Sequence, residues 1–153
     1  MIEEIIKEKT SADHLLYVSL KYTKTCDVIL NLLARWKSLI ELSFDSIIKM
    51  AVEEKKIPNM PESPKQRLEF IKKYFAKNLA VQNAVPIYIF FKRVPEMDKT
   101  REGEFRKNVC LKAIGPTKTT EINMEKLGEY AEIVEKFNAE IKKIIADWPE
   151  QDL

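Results

Sequence analysis

Apolar residues recur at three- and four-residue intervals from Ser11 to Lys56, through Leu15, Val18, Tyr22, Cys26, Ile29, Leu33, Trp36, Ile40, Phe44, Ile47 and Ala51, with no Gly or Pro among them. This spacing predicts a helical stripe. Left unbroken, the run would make a rod of roughly 69 Å at about 1.5 Å per residue, too long for a compact domain of this size. A turn is therefore required. Thr23 to Asp27 and Asn31 to Lys37 both fit, and the second is preferred because it divides the run into two nearly equal antiparallel arms. KKIPNMPESP then reads as a linker, and Ser63-Pro64-Lys65-Gln66 as a capping box opening a helix that turns Leu68, Ile71 and Phe75 inward. Ile87 to Phe91 is apolar on every side and fits a buried strand as well as a buried helix. Asn123 caps a predicted helix from Met124 to about Asp147, with Leu127, Ala131, Val134, Phe137, Ile141 and Ile145 on one stripe and Pro149 at its end.

Between these helices lies FRKNVCLKAIGPTKTTEI, Phe105 to Ile122. Alternation of Phe105, Lys107, Val109 and Leu111, followed by Gly115-Pro116, predicts a β-hairpin. The pattern as a whole predicts an all-α antiparallel bundle of four to five helices with a small β-hairpin near 105–122. One helical domain covers 11–148, preceded by an N-terminal extension, 1–10, and followed by a C-terminal tail, 149–153.

Composition narrows the class without changing that picture. With 153 residues, 45% of them hydrophobic, the chain is long enough to bury one core without disulfides or metal. No apolar run approaches the roughly 18 residues of a membrane span, and MIEEIIKEKTSAD lacks the regions of a signal peptide. Cys26 and Cys110 have no partnering cluster, so a cytoplasmic location is expected. Only three glycines and 33% charged residues, chiefly Lys and Glu, suit a helical protein and a source that grows hot.

Charge is unevenly placed. Net charge is +2, yet residues 92–118 hold eight Lys/Arg against four Asp/Glu. The usual catalytic constellations are missing: there is no Gly-rich phosphate loop, no nucleophile beside a histidine, no C-x-x-C, and His14 is the sole histidine. Placed at a predicted helix start, His14 reads as a surface or capping residue. Glu41 and Asp45 share a helical face, but without Glu-x-x-His a solvated face outweighs a metal site.

The order of elements carries a resemblance. A hairpin arm RWKSLIELSFDSIIKMAVEEKKI, a linker, the capped helix SPKQRLEFIKKYF, a buried segment, an Arg-led polar stretch and a long terminal helix together resemble the HEPN family over roughly residues 11–146. These are small helical domains of prokaryotic toxins, nucleotidyltransferase partner proteins and defence ribonucleases. In active members an arginine and a polar residue precede a histidine near the start of a late helix, and two such sites face each other across a dimer. Here Arg106-Lys107-Asn108 match the first part, while Leu111, Lys112 and Ala113 stand where the histidine would fall. The resemblance thus implies a non-catalytic, homodimeric interaction or nucleotide-binding module, partnering a nucleotidyltransferase.

Arg93, Arg101, Arg106, Lys107 and Asn108 are the candidate binding residues, with no catalytic residue, metal or cofactor expected. The alternatives are an RNA-acting enzyme or RNA-binding protein using the basic segment 92–118, and a structural subunit. Glu96, Asp98, Glu102 and Glu104 interleave with the bases, and Glu121 to Leu153 holds nine acids against four lysines. Docking onto protein, with weak and salt-dependent nucleic-acid affinity, is the expectation that follows. Trp36, Tyr88, Phe90 and Phe91 offer more aromatic surface than one bundle readily covers, which adds an argument for a homodimer.

Overall fold

The computed structural model of the chain describes residues 2–148; the expected tail 149–153, with Pro149, lies outside them. Helix α1, Ile2–His14, continues through a π-helical segment, Leu15–Ser19, into the short turn α2, Leu20–Tyr22. Residues 2–10 are thus helical and belong to an element that packs on the helix Cys26–Glu53. Ile5 and Ala12 are fully buried, and Lys9 binds Asp13 at 2.7 Å and also Glu135 near the other end of the chain. Burial would lower the pKa of Lys9, but its bonds to the two carboxylates outweigh that and raise it.

The π-segment explains why the expected stripe fails here. A wider turn slips the register of side chains around the axis, so the buried face passes from Ile5 and Ala12 to Leu20. Tyr17, Val18 and Tyr22 are left 60%, 42% and 77% exposed. Two of the three stripe positions in this arm thus face solvent.

The required turn falls at Thr23–Thr25, not at Asn31 to Lys37, which lie inside α3, Cys26–Glu53. Thr25 is the cap: its backbone is extended and its Oγ1 accepts the Val28 N–H at 3.3 Å. Helix α3 is the central post, touching α1, the later helices and the sheet, which is why Ile29, Leu32, Leu33, Trp36, Leu39, Ile40, Ile47 and Ile48 are all within 2% of full burial. It ends in a Schellman motif. Lys55 takes φ of +60°, and the N–H groups of Lys56 and Lys55 donate to the carbonyls of Ala51 and Val52.

Helix α4, Pro64–Tyr74, begins as the capping box predicts, with Ser63 Oγ accepting the Gln66 N–H at 3.1 Å; the Gln66 side chain returns to the N–H of Glu62. Ile71 and Phe75 are buried, joined by Phe70. The ambiguous segment is helical, within α5, Leu79–Arg93, capped by Asn78. Its apolar residues are covered on several sides, while Pro86 sits on the exposed side.

The chain is not all-α. After a 3-10 turn, Val94–Glu96, come three strands, β1 Asp98–Glu102, β2 Cys110–Ile114 and β3 Thr119–Asn123, in one antiparallel sheet of order β1-β2-β3. The β2–β3 hairpin turns at Gly115, whose N–H donates to the Lys118 carbonyl at 2.9 Å. Val109, Leu111, Ala113 and Ile122 are fully buried beneath it. β1 escapes the sequence pattern because DKTRE is polar at every position and pairs only along an edge, where charge discourages further strands. Lys99 anchors it, donating to the carbonyls of Val94, Pro95 and Met97 at 2.8–3.2 Å.

Helix α6, Met124–Asp147, starts as expected, Asn123 Oδ1 accepting the Lys126 N–H at 2.8 Å. Its buried face is turned slightly, with Tyr130 and Ile144 inside in place of Ala131 and Ile145. Trp36 packs against Phe91 at 5.8 Å and Tyr130 at 6.5 Å, and Phe44 packs against Tyr88 and Phe137. Trp36, Tyr88 and Phe91 are thus spent on the chain's own core, while Phe90, the fourth aromatic invoked for a homodimer, is half-buried.

Candidate nucleic-acid interface

The loop joining β1 to β2 is held in an unusual shape. Gly103 takes φ of +65°, and a Cβ there would meet the Asn108 carbonyl oxygen at 2.6 Å, so no larger residue fits. Two residues on, Phe105 also takes a left-handed φ, +66°, which a bulky side chain rarely adopts, and its ring is 75% exposed. Arg106 N–H donates to the Gly103 carbonyl at 2.9 Å and Val109 N–H to the Arg106 carbonyl at 3.0 Å, closing the loop on itself.

Three further links fasten it and the end of β1 to the turn before α3 and to the first residues of that helix. Phe105 N–H donates to the Lys24 carbonyl at 2.7 Å, the Glu104 carboxylate accepts the Cys26 N–H at 3.2 Å, and Arg101 pairs with Asp27 at 2.7 Å. Glu104 thereby adds a negative charge to the N-terminus of α3, where the helix dipole favours one. The strain at Phe105 is locked in by its surroundings, and the ring it supports faces water.

The same turn ends the first helical arm, and that arm presents a stripe. His14, Tyr17, Val18, Lys21 and Tyr22 are exposed at spacings of three and one, one face running about 12 Å along the axis. Lys21 lies over the Tyr22 ring at 5.8 Å. The Phe105 backbone bond to Lys24 thus joins the loop that carries Arg106 and Lys107 to the end of this arm, with Tyr22 two residues from the bond and Tyr17 further back along the same exposed face.

The five predicted binding residues do not share a cleft. Arg106, Lys107 and Asn108 are adjacent and exposed on the loop, and no side-chain partner engages them among the described residues. Arg101 is spent on position: its hydrogen bond to Asp27 raises its pKa, and its role is to pin the loop. Arg93 ends α5 at the opposite end of the sheet, beside the β2–β3 turn, about 14 Å away along β1. Lys21, Tyr17 and Tyr22 were missed because helical spacing assigned the tyrosines' neighbourhood to the core. Their signal is LLYVSLKY itself, too apolar on all sides for one buried face.

The two cysteines near this end are not poised as nucleophiles. Burial, aided by Glu104, pushes the Cys26 thiol up to about 11, and burial raises Cys110 as well, so both stay protonated and unreactive at neutral pH. His14 sits at the end of α1, not at a helix start. Arg106 lies in a strand-to-strand loop, whereas the late helix begins at Met124. Glu41 accepts from the Tyr88 hydroxyl at 2.6 Å and Asp45 pairs with Arg67 at 3.5 Å; among the described residues no group of three metal-ligating side chains forms. None of their helices is long and apolar enough to cross a membrane. Comparison with protein-family models, curated proteins and solved structures returns no match.

Proposed function

We propose that the chain is a non-catalytic module that binds single-stranded nucleic acid, RNA in the first instance, across the end formed by the β1–β2 loop and the first helical arm. The observation that carries this is Phe105, an exposed ring on a left-handed backbone that three separate links hold in place. Strained, over-determined residues mark contact sites, and stacking platforms with adjacent cations are how single strands are gripped without sequence readout. Two of the interleaved acids are matched by other bases of the segment, Glu104 by Arg101 at 3.9 Å and Glu102 by Lys112 at 3.0 Å, and no acid pairs with Arg106 or Lys107 among the described residues. Arg106 and Lys107 remain for phosphates.

This reading shifts the weight from protein docking to the RNA-binding alternative, and requires neither a homodimer nor a nucleotidyltransferase partner. Resemblance to the HEPN domains adds the helical architecture and nothing at the loop. The lone histidine leaves no acid–base pair, so cleavage is not expected.

The test is fluorescence anisotropy with a labelled uridine oligomer at about 50 and 200 mM salt. Four phosphate contacts, by Lys21, Lys24, Arg106 and Lys107, would give a slope near 0.7 each and weaken binding by roughly 50-fold across that range. Phe105→Ala should remove about 1–3 kcal/mol, roughly 5- to 150-fold in affinity. Binding indifferent to Phe105→Ala and to the double variant Arg106→Glu/Lys107→Glu would refute the proposal.

A further inference from the structure

A second concave surface lies at the far end of the sheet, where the end of α5, the β2–β3 turn and the start of α6 meet. It encloses about 650 Å³, inside the roughly 300–1,000 Å³ of small-molecule sites. Ile87, Phe90, Met97 and Tyr130 give it an apolar, aromatic lining, to which Arg93 and Lys118, both exposed, also contribute.

The charges around this groove differ in their availability. Lys126 is paired with Glu129 at 3.1 Å, and Lys92 lies over the Tyr88 ring at 6.0 Å. Arg93 and Lys118 have no side-chain partner among the described residues, nor does the Tyr130 hydroxyl. Burial pushes that hydroxyl up to about 12, so it is a hydrogen-bond donor throughout the physiological range. Donors thus predominate in this groove, and donors are what a ligand's carboxylate requires. Glu96, also in the lining, opposes a ligand with several negative charges.

We infer that this groove binds a small amphipathic anion, an apolar body bearing one carboxylate, whose charge is met by Arg93 and Lys118. Burial of the body against Phe90 and Tyr130 supplies the affinity, and the two cations with the Tyr130 hydroxyl fix its orientation. A nucleotide fits less well, because its sugar and multiple charges would meet apolar side chains and Glu96. The site is independent of the loop at the other end of the sheet, so either assignment can fail alone.

The experiment is a titration of the full chain with decanoate, followed by ¹⁵N–¹H spectra, with decanol and AMP as parallel arms. Decanoate should saturate in the range of about 10–100 μM, shifting the amides of Gly115, Thr117 and Lys118 while leaving that of Gly103 in place. Arg93→Glu/Lys118→Glu should weaken it at least tenfold, as loss of charge-assisted bonds requires. Both side chains are exposed, and the milder pair Arg93→Gln/Lys118→Gln should move affinity in the same direction. Arg106→Glu/Lys107→Glu should leave it unchanged. Decanol binding as tightly as decanoate, AMP binding more tightly, or loss through the Arg106/Lys107 variant would each overturn the inference.

Discussion

Phe105 shows how one residue can oppose its own backbone. Placing a bulky side chain in the left-handed region costs of order 1–2 kcal/mol, which a folded protein tolerates only where neighbours enforce it. Phe105→Gly therefore separates two roles that Phe105→Ala confounds. If the ring is held out for a ligand, the glycine variant should melt at the same temperature or higher, while its affinity for the uridine oligomer falls as far as that of the alanine variant. A drop in melting temperature would mean that the ring supports the fold, and the functional reading of the strain would be lost. In the sequence Phe105 looked like the first of an alternating strand, since Phe, Lys, Val and Leu do alternate there. Only the links to Lys24 and Cys26 reveal that the strand starts at Cys110 and that residues 105–108 stand in solvent.

At the scale of elements, the first arm is where sequence and structure part most. Its residues have the composition of a charged amphipathic tail, yet α1 inserts Ile5 into the core and reaches α6 through Lys9. Ile5→Ala should thus destabilise by about 2–5 kcal/mol, the range for a fully buried large-to-small change. Urea unfolding monitored by circular dichroism measures it directly. A change within a few tenths of a kcal/mol would contradict the insertion of Ile5 into the core. The π-segment Leu15–Ser19 is the hinge of this disagreement, since it lets one continuous helix bury Ile5 and Leu20 while exposing Tyr17 and Tyr22.

For the whole molecule, the buried thiol and tyrosines set a pH limit. The folded state holds Cys26 at about 11 against an ordinary value of 9.0, because burial and the nearby Glu104 disfavour the thiolate. A raised folded pKa contributes stability that is complete below pH 9 and disappears as pH climbs from about 9 to 11. The slope per group can reach about 1.4 kcal/mol per pH unit. Tyr130, raised from 10.0 to about 12, and Tyr88, raised by burial and its bond to Glu41, extend the decline to higher pH. Unfolding free energies at pH 8, 9.5 and 10.5 should therefore fall in order, and Cys26→Ala should flatten the first part of that fall. Stability that holds or rises to pH 10.5 would contradict the burial of these groups.

The amino-acid sequence by itself determined what depends on neighbours along the chain. Ser63, Pro64 and Gln66 start one helix, Asn123 starts another, and Gly115 turns a hairpin, because caps and turns are satisfied by groups a few residues away. Mostly helical character also followed, from three- and four-residue spacing in α3 and α6. The tertiary structure alone decided what distant contacts settle. Polar β1 became a strand because β2 was there to pair with it, and Ile87 to Phe91 became helix because α5 is enclosed by neighbouring elements. The turn fell at Thr25 because the cap there is completed by Glu104, 78 residues from Cys26 in sequence. For the same reason the predicted binding residues divided between two ends of the sheet. Charge along the chain records which residues can bind, but the strand between Arg93 and Arg106 sets which of them can do so together.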